Sequence, residues 1–315
     1  TCIVRRNADL SSIKSKWIKK LLESLKEIEN LLSYDTLDIE FAINSQSKVF
    51  ILQVRPLSQS CEKKFKDEEY YEKNEISHRK WKQLRNCPPH IPGSAPPAYG
   101  LMPDWNPAEI IGTNPGELAL SLYKYLITNE IWAQQRAEFG YRDVRPGPLI
   151  VSFMGKPYVD IRLSFCSFIP RNISDKLAGK LLNFYLNHLN DKPHFHDKVE
   201  FKILPTCLTP NFNNWEEIFK KNPDLNTDEI KLLKNELAQI TSEAFTKPKL
   251  FLKSIDKLKK RNQRVLNSNL NHLDKARMLI EDCKILGTLP FAHLARCAFI
   301  AVTLLNDAVS AKIIS

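Results

Sequence analysis

Pro88, Pro89, Pro92, Pro96 and Pro97 fall within ten positions. No ordinary helix or central strand survives that density, because each proline fixes φ and removes a backbone donor. The chain is therefore expected to divide here. Its 315 residues suffice for two domains, and 43% hydrophobic content allows ordinary buried cores. The expected class is α+β: an N-terminal segment over 1–57 made of a helix and an antiparallel hairpin, a charged and Pro-rich linker over 58–98, and a mainly α-helical domain with a small hairpin over 99–315.

In the first segment, Ile13, Trp17, Leu21, Leu22, Leu25, Ile28 and Leu31 recur at helical spacing, with Lys and Glu on the other face, predicting a helix within 8–33. It leads into DIEFAINSQSKVFILQVRPL, residues 38–57, two strand-like runs joined by the polar loop Asn44–Lys48. Two registers are open. Pairing Ile43 with Phe50 places Phe41 opposite Leu52, Ile39 opposite Val54, Glu40 opposite Gln53 and Asp38 opposite Arg55, and gives one continuous apolar face. Pairing Ile43 with Val49 sets Glu40 against Leu52 and breaks it. Burial at about 25 cal/mol per Å² favours the first. A carboxylate, an amide carbonyl and a guanidinium then share one face. Oxygens of those kinds suit a hard cation such as Mg²⁺, and an Arg fork matches phosphate oxygens. The same pattern also suits a hairpin with one solvated polar face.

The order DIEFAI followed by VFILQVRPL resembles the end of the ATP-grasp nucleotide-binding domain in the phosphoenolpyruvate synthase and pyruvate phosphate dikinase family. There an acidic strand and a Gln-x-Arg-Pro strand close the ATP site. The resemblance implies an ATP-dependent phosphotransferase using ATP and Mg²⁺, with Glu40 and Gln53 as metal and nucleotide ligands and Arg55 as a catalytic phosphate contact. Asp38 is a weaker candidate. Phe41 stands where the family often has Trp, a departure that leaves the polar set intact.

Glycine is scarce, at nine residues, and no Gly-Gly or G-x-G occurs. Backbone phosphate cradles need such clusters, so these residues alone do not hold a whole nucleotide site. The opening TCIVRRNADL lacks an initiating Met and an apolar signal region and reads as mid-strand, as expected of an excerpt from a longer protein. Seven scattered cysteines, at 2, 61, 87, 166, 207, 283 and 297, form no C-x-x-C pair and read as reduced cytoplasmic thiols. The longest apolar run, near Cys297–Leu305, falls short of the roughly 20 residues of a membrane span. A net charge of +10 favours anionic partners such as nucleotides, phosphorylated metabolites or nucleic acid.

Beyond the prolines, Leu118–Phe139 has a helical pattern. Leu149–Met154 and Tyr158–Phe165 read as a second hairpin with a type II′ turn at Gly155-Lys156. HFHDKVEFKILPTC has a strand-like core carrying His194, His196 and Asp197, a metal set lacking a third or fourth ligand. The final helical run is expected to be buried. Arg142, Arg145 and Arg162 lie near the Pro-Gly-Pro turn. They read either as partners of Asp143 and Asp160 or as an anion-binding corner for a substrate. The stretch from MPDWNPAEIIG through GYRDVRPGPL to PYVDIRLSF resembles the middle region of phosphoenolpyruvate synthase-like proteins, which implies kinship without a substrate. The family's relay histidine sits in a Gly-rich segment, a context that none of the seven histidines has. Flanking domains, a nucleotide-binding lobe and a phosphohistidine domain, are therefore implied as partners. Two other readings stand beside the enzyme: an inactive scaffold, and a nucleic-acid module built on the basic helical run 257–278.

Overall fold

The structure is a computed structural model that describes residues 11, 13, 15–56, 67–85, 90–94, 96–101 and 105–314. The opening residues 1–10, the stretch 57–66, Pro88, Pro89 and the cysteines at 2, 61 and 87 lie outside these. The chain is α+β and divides into two compact units, Thr1–Glu62 and Lys63–Ser315.

In the first unit α1 (Lys16–Leu32) ends at Ser33, whose left-handed backbone (φ 49°) lets its own N–H and that of Tyr34 bond back to the last carbonyls. Strands β1 (Leu37–Ile43) and β2 (Val49–Pro56) pair antiparallel. Leu21, Leu25 and Glu29 of α1 border a groove with Leu37, Ile39 and Phe41, and Trp17 stacks on Phe41 with ring centroids 6.3 Å apart. One face of the hairpin therefore rests on the apolar stripe read from the sequence.

The first described element of the second unit is α2 (Asp67–Leu84), a helix that contacts the second hairpin. Lys80 Nζ donates to the Ser152 carbonyl at 3.0 Å, and Ser77 Oγ accepts from the Met154 N–H at 3.1 Å. Beyond the prolines come β3 (Tyr99–Gly100), α3 (Pro107–Ile110) and α4 (Glu117–Tyr123). The helical run expected over 118–139 is interrupted: α4 continues as a π-helical stretch, Lys124–Thr128, and after a turn at Asn129-Glu130 α5 (Ile131–Phe139) begins.

Strands β4 (Ile150–Phe153) and β5 (Lys156–Asp160) form the second hairpin, with β3 completing a sheet in the order β3-β5-β4. Two expectations fail here. Phe153 pairs with Lys156, so the turn residues are Met154 and Gly155. Both have positive φ, 52° and 82°, which is the type I′ geometry whose twist matches the strands. The second strand also stops at Asp160, whose carboxylate accepts from the Leu163 N–H at 3.1 Å and caps α6 (Ile161–Cys166). IRLSF, read as strand, is helix because that cap is in place.

The remaining helices are α7 (Asp175–Asp191), α8 (Val199–Lys202), α9 (Phe212–Lys220), α10 (Thr227–Thr246), α11 (Pro248–Leu266), α12 (His272–Asp282) and α13 (Leu289–Ser310). The expected strand over 194–207 is absent: Pro193–Phe195 is a 3₁₀ turn and Val199–Lys202 a short helix. The basic run 257–278 is two helices, not one. Asn271 caps α12 by accepting from the Asp274 N–H at 2.9 Å.

The core is built around Trp132, Phe165, Leu182 and Leu237, all at or near zero exposure. A smaller cluster joins Phe139, Tyr141, Ile240 and Ile300. The final helix is not buried as expected. Ala292, His293, Arg296 and Ile300 face inward, whereas Phe291, Phe299, Val302, Leu305 and Val309 are exposed. With α12 and the π-helical stretch Cys283–Thr288 it forms one helical run, 272–310, long and apolar enough to cross a membrane by length and composition. That run packs against α5, α10 and α11.

Candidate functional site

The hairpin carries the polar set in a register that the sequence half anticipates. Asp38 pairs with Arg55, Ile39 with Val54 and Glu40 with Gln53, as the apolar-face argument requires. The register then slips by one. Phe41 meets Ile51, Ala42 meets Phe50 and Ile43 meets Val49, leaving Leu52 as a bulge. The loop explains the slip. The Asn44 carboxamide accepts from the N–H groups of Gln46 and Lys48 at 3.0 and 2.9 Å, and the Asn44 N–H donates to the Lys48 carbonyl at 3.1 Å. This closure sets Ile43 against Val49.

A bulge reconciles the register at the turn with the register at the far end. Cross-strand partners share a face, so Leu37, Ile39, Phe41 and Ile43 still lie with Val49, Ile51 and Val54. Leu52 is left 65% exposed. The two registers weighed from the sequence coexist, and the apolar face stays whole.

The opposite face holds Glu40 beside Gln53 and Asp38 beside Arg55. Arg55 Nε donates to Asp38 Oδ2 at 2.6 Å, with both side chains about two-fifths exposed. Carboxylate, amide and guanidinium stand together on one face of a two-stranded element. The slip adds a residue that sequence reasoning assigned to the other face: Phe50, now opposite Ala42 on the polar side, its ring 5.1 Å from Lys48 Nζ. Nothing in the local pattern marks it, because its face depends on the bulge.

The three arginines of the second unit meet internal carboxylates. Arg142 donates to Asp175 Oδ1 at 2.6 Å and to the Ile173 carbonyl at 2.5 Å. Arg145 grips Asp143 through Nε and Nη2, at 2.9 and 2.6 Å, and this holds the Asp143 carboxyl below the usual carboxylate range. Arg162 is 2% exposed, with Asp160 Oδ2 at 3.9 Å from its Nη2. The turn next to Arg142 and Arg145 is tight: a Cβ on Gly147 would come within 3.0 Å of the Val144 carbonyl oxygen and 2.9 Å of Leu163 Cδ1, so a larger residue there would make its neighbours shift. Each guanidinium thus lies beside a carboxylate of this chain, Arg162 from a buried position.

The His194 ring lies tilted against Phe195, with centroids 4.2 Å apart, and His196 Nδ1 lies 3.1 Å from the Pro193 carbonyl oxygen. Among the described residues no group of three or more His, Cys, Asp or Glu is placed to hold a metal ion.

Residues 3–75 match the family described as pyruvate phosphate dikinase, AMP/ATP-binding domain. The match covers α1 and the whole first hairpin and ends inside α2. No curated protein and no solved structure matches the chain.

Proposed function

We propose that this chain is part of an ATP-dependent phosphotransferase resembling phosphoenolpyruvate synthase, with the polar face of the first hairpin as its contribution to the ATP site; the match of residues 3–75 to the pyruvate phosphate dikinase AMP/ATP-binding domain family supports this. The observation that carries this reading is the cross-strand placement of Glu40 opposite Gln53, next to the Asp38–Arg55 pair.

The residues fit Mg²⁺. That ion takes oxygen ligands, needs only one or two from the protein, and completes its shell with water and phosphate oxygens. Glu40 Oε and the Gln53 carbonyl would be those ligands. When bound, the ion withdraws charge from the phosphate oxygens. Arg55 neutralises charge that develops on the transferring group, and positioning of this kind carries most phosphoryl-transfer catalysis. Asp38 holds the Arg55 guanidinium in place through Nε. Phe50 offers an apolar ledge to the less polar parts of the nucleotide. The acceptor of the phosphoryl group would be a histidine outside this chain.

The test compares Glu40→Ala and Arg55→Ala in the longest native protein containing this chain, following ATP-dependent phosphorylation alongside thermal unfolding. Loss of one such contact lowers rate by on the order of 10² to 10³, while unfolding changes little because both side chains lie on the polar face. Full activity in both variants removes them from the site. Lost activity with a collapsed unfolding temperature makes the hairpin purely structural.

A further inference from the structure

We propose that α11 is a docking surface for an anionic membrane. The helix Pro248–Leu266 carries Lys249, Lys253, Lys257, Lys259, Lys260, Arg261 and Arg264 against a single acid, Asp256. Arg261 is used internally, its Nε donating to Asp282 Oδ1 at 2.8 Å. Lys249, Lys253, Lys257, Lys260 and Arg264 follow one another at spacings of four, four, three and four, so they line one face of the helix over about 22 Å. All five are exposed, and among the described residues none makes an ion pair.

This arrangement costs the helix stability. Like charges at i,i+4 repel, and cations in the first turns oppose the helix dipole. The first turn of α11 has no acid to offset them. Asp256, beside Lys253 and Lys260, is the helix's one acid, and among the described residues no ion pair offsets the other cations of this face, so an external polyanion would relieve the repulsion.

The apolar side chains decide which one. Leu252, Ile255 and Leu266 share the face next to the cations, with Leu250 on their far side, and all four are 42–63% exposed. Duplex phosphates would be met by the cations alone and gain nothing from exposed leucines. Single strands need aromatic stacking, and the one ring in α11, Phe251, is stacked on His293 at 4.2 Å. An anionic bilayer uses both stripes, with the apolar side chains entering the headgroup boundary and the lysines pairing with lipid phosphate and carboxylate. Lys259, among the apolar residues, reaches the same level by extending its stem.

The experiment is co-sedimentation of the whole chain with phosphatidylserine–phosphatidylcholine vesicles, with pure phosphatidylcholine vesicles and a duplex DNA titration as comparisons. The variants are Lys253→Glu/Lys257→Glu/Lys260→Glu and Leu252→Ser/Ile255→Ser, with the triple Gln variant in place of the Glu variant should the latter not fold. Binding to anionic vesicles, absent with neutral ones, is expected to fall by at least about 10² in the charge variant, at roughly five-fold per cation removed, and by about ten-fold in the Leu/Ile variant, with unfolding temperatures that do not fall. Three results overturn the proposal: no binding to anionic vesicles, binding that the charge variant retains, or duplex DNA bound in preference to vesicles and insensitive to the Leu/Ile change.

Discussion

His293 lies flat against Phe251, at an interplanar angle of 4°, with Phe139 6.2 Å away and Nε2 2.9 Å from Glu138 Oε2. Burial pushes its pKa below the ordinary 6.5, Glu138 pulls it partly back and Lys247 adds to the lowering. A folded-state value below the unfolded one means that the unfolded chain takes up the proton first. The stability from neutral His293 is therefore present above about pH 6.5 and lost as pH falls through the lower folded value. Unfolding temperature should drop on acidification from pH 7 to 5, and His293→Phe should flatten that slope. Some slope should remain, because burial lowers the pKa of His188 as well. Equal slopes in both proteins would show that His293 does not carry the effect. At the same scale Asp38→Asn should weaken ATP binding more than it weakens the fold. The Asp38–Arg55 pair is half exposed and contributes less than about 1 kcal/mol to stability; a calorimetric ATP titration beside a melt separates the two.

The bulge at Leu52 is the element-scale decision that shapes the candidate site. Removing Leu52 would join Ile51 directly to Gln53 and leave every observed partner pair in place, from Asp38–Arg55 to Ile43–Val49. The deletion variant should thus keep the hairpin, seen as unchanged cross-strand contacts by NMR, while losing the extra twist that a bulge imparts. If that twist aims Gln53 and Phe50, nucleotide affinity falls although the fold survives. Undiminished affinity would assign the bulge to turn closure alone. The second hairpin has a simpler dependence. Gly155 at φ 82° sits in a type I′ turn with open space around its Cα, so Gly155→Val should cost about 1–2 kcal/mol through backbone strain, not through a clash. Urea unfolding measures it.

In the molecule as a whole, stability resides in the core of the second unit. Leu182→Ala, at zero exposure in the cluster that also holds Trp132, Leu177 and Leu237, should cost about 2–5 kcal/mol by the usual cavity rule. Leu305→Ser on the exposed side of α13 should stay within about 0.5 kcal/mol. Periodicity located α1, both hairpins and the helical character of 99–315, because alternation at 2.0 and 3.6 residues is a local property of the chain. The polar set of the first hairpin was legible for the same reason: faces follow from alternation once a register is chosen. What alternation cannot supply is a competition between distant constraints. Loop closure at Asn44 against apolar pairing at Ile39 produced the bulge and moved Phe50 to the polar face. The cap formed by Asp160 turned an apolar strand-like run into helix. Asp143 pairs with Arg145 as one of the two linear readings had it, whereas the partner of Arg142, Asp175, lies 33 residues away and no local pattern marks it. The sequence by itself determined which faces are apolar and where charge accumulates, since both follow from residue order. Tertiary structure alone decided which of those faces are covered and which charges are paired, because burial and pairing depend on what the rest of the chain brings alongside.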